Sequence, residues 1–123
     1  NTFVASFIGN PPMNLIKGKI EHGSFISKNI EIKNFKHINN EYILGFRAED
    51  ATICDGNIGN ITGPIFSIEL LGDSVMVTVK IENCFISVKM SNTYVASIGD
   101  EVSISVLSTK CQIFDYETGL NIN

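Results

Sequence analysis

Val75-Met76-Val77-Thr78-Val79-Lys80-Ile81-Glu82 carries the clearest pattern in this 123-residue chain. Val75, Val77, Val79 and Ile81 alternate with Met76, Thr78, Lys80 and Glu82. Side chains of an extended strand alternate between faces, so the stretch predicts a strand buried on one side only. Val102, Ile104 and Val106 repeat the pattern against Ser103 and Ser105. Residues 15–21, 25–35, 41–47, 61–71, 84–90 and 111–114 are further short apolar runs of strand type. Between them lie clusters that tolerate positive φ or hydrogen-bond their own backbone: His22-Gly23-Ser24, Asn39-Asn40, Asp55-Gly56-Asn57, Leu71-Gly72-Asp73-Ser74 and Ile98-Gly99-Asp100. Six to eight short strands at this spacing predict an all-β chain, a small barrel or sandwich. The start differs. Phe3, Val4, Phe7 and Ile8 recur at helical spacing, with Asn1 or Thr2 to cap and Gly9, Pro11 and Pro12 to stop, so one short N-terminal helix is expected before the sheet.

A chain of this length holds one domain and one sizeable core. The hydrophobic share of 44% and charged share of 18% exclude a disordered polyelectrolyte. A net charge of -4, with Arg47 the single arginine, argues against a protein that tracks a nucleic-acid backbone, since that affinity rests on Lys and Arg displacing counterions. The apolar runs are far shorter than the ~20 residues that cross a bilayer as a helix. The opening Asn-Thr-Phe is neither an initiator methionine nor a signal peptide, and reads as a trimmed chain. Cys54, Cys84 and Cys111 are too widely spaced for a zinc site or disulfide framework, so reduced cytosolic thiols are expected.

The residues supply no catalytic, cofactor-binding or metal-ligating set. A phosphate loop needs G-x-x-x-x-G-K-[ST], but Gly18-Lys19 is preceded by Met13 where the first glycine belongs and followed by Ile20 where the hydroxyl belongs. G-x-G-x-x-G is absent. His22 and His37 lie outside any H-E-x-x-H spacing and read as solvated turn residues. Ser24 and Ser74 are not in G-x-S-x-G. Glu49 and Asp50 are adjacent, and adjacent side chains on an extended chain diverge; a solvated loop or a partner for Arg47 fits them better than acid/base work. Glu69 reads as a solvent-facing or turn-capping carboxylate. Phe25 and Phe35 near Lys28, Lys33 and Lys36 fit a barrel core with outer lysines as well as they fit an oligonucleotide platform.

The run Phe3-Val4-Ala5-Ser6-Phe7-Ile8-Gly9-Asn10-Pro11-Pro12-Met13-Asn14 closely resembles the segment by which the ATPase subunits of carbohydrate and glycerol-3-phosphate ABC importers leave their nucleotide-binding domain. Others follow in family order. Leu44-Gly45-Phe46-Arg47-Ala48-Glu49 resembles L-G-I-R-P-E, and Ile68-Glu69-Leu70-Leu71-Gly72-Asp73-Ser74 resembles V-E-x-x-G-x-[ST]. Gly99-Asp100-Glu101-Val102 resembles G-D-x-V, and Phe114-Asp115 with Thr118-Gly119 resembles F-D-x-x-T-G. Ala48 departs from the family proline, which should loosen that turn, and the interval between Asn14 and Leu44 is shorter than usual.

The resemblance implies a C-terminal regulatory domain of transport-associated OB fold, with residues 1–14 a short helix and proline junction and residues 15–123 an OB-like barrel. It further implies an interaction module rather than an enzyme. ATP and magnesium would be handled by the missing nucleotide-binding domain of the parent subunit. The implied partners are a second ATPase subunit in a homodimer, membrane permease subunits and a cytosolic regulator, with no nucleic acid, at the cytoplasmic face of the inner membrane. A small-ligand OB domain, taking an oxyanion or sugar, is the alternative, with the Leu71-Gly72-Asp73-Ser74 turn its candidate amide nest.

Overall fold

The structure, a computed structural model, describes residues 13–55 and 58–123. The helix expected over the first dozen residues, with Phe3, Phe7, Gly9 and Pro11, lies outside the described residues. Among the described residues the chain is all-β. The strands are β1 (Met13–Glu21), β2 (Ser24–Ser27), β3 (Ile30–Ile32), β4 (Asn40–Arg47), β5 (Ala51–Cys54), β6 (Ile61–Leu70), β7 (Ser74–Ile81), β8 (Cys84–Ser91), β9 (Glu101–Val106) and β10 (Gln112–Asp115). Two 3₁₀ turns, Ala48–Asp50 and Ser108–Lys110, precede β5 and β10.

Ten strands replace the expected six to eight, for two reasons. The apolar run at 25–35 breaks where Asn29 takes φ 58°, a left-handed turn that folds β3 back on β2. β5 has only four residues and no clean alternation; its pairing with β9 holds it, from Ala51↔Val106 to Cys54↔Ser103. Met13 and Asn14, placed by the sequence in a junction, are the first two residues of β1.

The sheet runs β10-β4-β1-β2-β3-β6-β7-β8 with all pairings antiparallel, and β9 joins β5 to β6. β6 touches β3 at Ile61 alone and otherwise serves two neighbours in turn. Its first half pairs with β9 (Ile61↔Ile104 to Pro64↔Glu101) and its second with β7 (Ile65↔Val79 to Leu70↔Val75). A register shift between Ile65 and Ser67 marks the change. A bulge bends its strand and raises the twist, which is how one strand leaves one sheet and enters another. The result is a curled, OB-like half-barrel.

Val75, Val77, Val79 and Ile81 face inward as the alternation requires, while Lys80 is exposed. Val79 and Ile81 meet Ile16, Ile20, Phe25, Leu44, Phe46, Ile61, Ile104 and Ile113 in the main core, while Val75 and Val77 pack with Ile65 in a second cluster. β9 breaks the alternation rule: Ser103 is fully buried beside Ile104. Its hydroxyl accepts the Gly59 N–H at 2.6 Å, so the chain before β6 covers the face that the serine was expected to show to water.

Candidate functional site

The motif residues fall into two groups. The first lies where β1, β4 and β10 run side by side. Met13 and Phe114 pack with Ile43 in a small apolar cluster apart from the main core. Gly45 sits beneath it: a Cβ there would come within 2.6 Å of Met13 Sδ and 2.9 Å of Phe114 Cε2, so the L-G motif exists to let these side chains cross β4. Arg47 stands opposite Met13 in the register. Glu49 is exposed on the 3₁₀ turn. Asp115 Oδ1 accepts the N–H groups of Glu117 and Thr118 at 3.0 and 2.8 Å. The Thr118 bond above all holds its carboxyl below the ordinary carboxylate range. The Gly119 N–H donates to the Asp115 carbonyl, and Gly119 takes φ 73°. F-D-x-x-T-G is thus a turn that returns the chain to β10, where the Ile122 N–H donates to Ile113 O.

The second group lies around β6. Glu69 is exposed near its end, and Gly72, at φ 86°, makes the hairpin into β7. The Leu71 N–H donates to Ser74 O within that hairpin, so this amide of the candidate oxyanion nest is already engaged. Gly99, at φ 96°, and Asp100 form a turn pinned to the bulge. The Gly99 N–H donates to Ile65 O, the Ile65 N–H to Asp100 O, and Asp100 Oδ2 accepts the Ser97 N–H. G-D-x-V therefore fixes the entry of β9 beside β6.

Asn14 does what no pattern foretold. Its buried side chain donates from Nδ2 to Ser87 O at 2.9 Å and accepts the Ser87 N–H on Oδ1 at 2.8 Å. An amide side chain here imitates a strand partner, joining β1 to β8 where the two backbones do not pair. Beyond this clip the gap opens into a cleft of ≈ 760 Å³, walled by β1 at Leu15 and Lys17, by Lys28, and by the β7–β8 turn through Phe85. On the outer surface Phe85 meets Phe66 edge to face at 5.0 Å, with Lys80 Nζ within 5.7 Å of both rings. Phe66 and Phe85 are 51% and 48% exposed, an aromatic pair at the surface that alternation alone did not single out.

The other titratable candidates have structural places. His22 is exposed in the β1–β2 turn, as expected. His37 is not a solvated residue: its ring lies against Tyr42, Nε2 is 3.1 Å from Ile122 O, and Nδ1 is buried with no hydrogen-bond partner. Cys54, Cys84 and Cys111 are all free thiols. Cys111 is buried, and desolvation, aided by the charge of Asp50, pushes its thiol up to about 12. Among the described residues no three metal-ligating side chains converge, and no helix is long and apolar enough to cross a membrane.

No family model matches the chain. Over 134 residues it is 31% identical to the ABC transporter ATP-binding protein YcjV of Escherichia coli O157:H7, a match covering 99% of this chain and 37% of that protein. Its relatives are ABC transporter ATP-binding proteins. The oligosaccharides import ATP-binding protein MsmX of Bacillus subtilis strain 168 is 28% identical over 137 residues, covering 99% of this chain and 38% of MsmX. The ABC transporter ATP-binding protein MG187 of Mycoplasma genitalium is 24% identical over 120 residues, 96% of this chain and 20% of MG187. The chain therefore matches only a part of each relative, and spans little more than a third of YcjV and MsmX. Against ABC ATP-binding proteins, the motif residues read as the devices that build this β-domain: two turns, one hairpin, one close strand crossing and one side-chain clip.

Proposed function

We propose that this chain is the C-terminal regulatory and dimer-forming domain of the ATP-binding subunit of an ABC importer for a sugar or glycerol-3-phosphate. The observation that carries the reading is the match itself: nearly all of this chain aligns with little more than a third of each of two ABC ATP-binding proteins, one named for oligosaccharide import. ATP and magnesium belong to the remainder of such a subunit. The junction from it precedes β1, and the regulatory domain runs from Met13, the first residue of β1, to Asn123. The partners are a second copy of the subunit, the membrane permease and a cytosolic regulator, at the inner face of the membrane.

The described surface is suited to a role in contacts. Leu70, Leu71, Val95 and Ile98 are exposed, with Val95 at 90%. Leu70 and Leu71 are adjacent at the end of β6, and a two-fold interface would use such a patch twice. The test is the coding sequence in frame ahead of Asn1. The reading expects a G-x-x-x-x-G-K-[ST] loop there, followed by the rest of a nucleotide-binding domain. An upstream region that encodes no such loop overturns it.

A further inference from the structure

We propose that Met90 is an oxidation site, and that peroxide, by converting its thioether to the sulfoxide, opens the seam between β5 and β8. The inference stands apart from the ABC-subunit reading, because it uses only this seam.

β5 pairs with β9 on one side and, among the described residues, with no strand on the other. The Ile53 N–H turns to that second side, where it donates to Met90 Sδ of β8 at 3.5 Å. The neighbouring Thr52 hydroxyl donates to the same sulfur at 3.7 Å. A thioether is a weak acceptor, so a soft sulfur atom stands where a strand carbonyl would otherwise serve. Ile53 and Met90 also pack against both the main core and the cluster of Ile65, Val75 and Val77. The seam therefore joins the two parts of the core.

The three methionines are not equivalent. Met13 is buried. Met76 is half-buried, but it stands between Glu69 and Lys89 in the register, on the face of β7 turned from the core. Met90 is half-buried at the rim of the seam, beside exposed Thr52. When the Thr52 hydroxyl turns to water, a sulfur lone pair is freed. That lone pair attacks one oxygen of hydrogen peroxide: an S–O bond forms, the O–O bond breaks, and the other oxygen leaves as water with the proton of the transferred hydroxyl. Sulfur loses two electrons and the peroxide gains them. Methionine sulfoxide reductases return such a polar sulfoxide to the thioether.

The seam has no room for the added oxygen. For that oxygen to accept the Ile53 N–H at about 2.9 Å, the sulfur has to withdraw from its present 3.5 Å, which parts β5 from β8. Turned elsewhere, the oxygen leaves an electron-poor sulfur facing the same N–H, and the acceptor is lost. Either way a polar group enters a contact between two apolar clusters.

The test exposes the 123-residue chain to graded hydrogen peroxide, locates added oxygen by peptide mass spectrometry and reads amide exchange residue by residue. The expected result is one oxygen on Met90 and exchange at Ile53 at least about tenfold faster, with Leu44, paired on both sides in β4, unchanged. Methionine sulfoxide reductases should restore the original rate. The Met76→Leu chain should keep the response, and the Met90→Leu chain, a volume-conserving exchange, should lose it. If Met90→Leu folds poorly, the unsubstituted and Met76→Leu chains decide alone. Met90 left unoxidised at a dose that oxidises free methionine overturns the proposal. So does an Ile53 rate that stays fixed once Met90 carries its oxygen, a response that survives Met90→Leu, or one that disappears with Met76→Leu.

Discussion

Asn14 closes the seam that strand pairing leaves open, and its two hydrogen bonds are to main chain, so the partner residue's side chain is secondary. Leaving a buried donor and acceptor unmatched costs about 1–3 kcal/mol per group where water cannot replace the partner. Asn14→Ala is therefore expected to lower the stability of the chain by roughly 2–4 kcal/mol in urea unfolding. Ser87→Ala, which loses only the Thr78 hydroxyl contact, should cost about 1 kcal/mol. Equal losses would mean the clip is not what holds β1 to β8. Cys111 makes a pH prediction. Its thiol is raised by burial from 9.0 to about 12, so the folded state holds the proton longer than the unfolded one. Stability from this site is whole below pH 9 and declines as pH climbs from 9 toward 12, by up to about 1.4 kcal/mol per unit. Cys111→Ala should flatten that alkaline slope, and in native protein Ellman's reagent should spare Cys111 while reaching the half-buried Cys54.

At the scale of elements, the 3₁₀ turn at Ala48–Asp50 follows Arg47 at φ -88° and ψ 154°. That is the extended geometry a residue adopts before proline, and a first helical position tolerates the missing N–H. Ala48→Pro is expected to stabilise the chain by about 0.4–1 kcal/mol by restricting the unfolded state. A fall in melting temperature would show that the Ala48 N–H has a partner the proline removes. The strands themselves were legible wherever one face is buried and the other wet: β7 reads directly from Val75 to Ile81, and β1, β4 and β8 fall within a residue or two of their runs. β5 was not legible, because four residues gain their strand only by pairing with β9 some fifty positions away. Ser103 departs from its expected wet face for a related reason: burial of the second face of β9 depends on the loop at Gly59. Motif positions were legible as positions and silent as to role. Gly45, Gly99, Phe114 and Asp115 carry hydrogen bonds and packing that tertiary contact alone reveals.

At the scale of the whole molecule, this all-β chain spans little more than a third of YcjV and of MsmX. A domain that acts by pairing gains from being tethered to a subunit that already associates, because linkage raises effective concentration. Its own affinity as a separate chain is then a poor gauge of its role. The central claim is that this domain prolongs the pairing of two ATP-binding subunits and so tunes transport. The most direct measurement compares the full-length subunit with one lacking residues 1–123, following the lifetime of the nucleotide-bound dimer alongside solute uptake by the assembled importer. The account predicts a shortened dimer lifetime and altered uptake on deletion; a dimer lifetime and uptake both unchanged would contradict it.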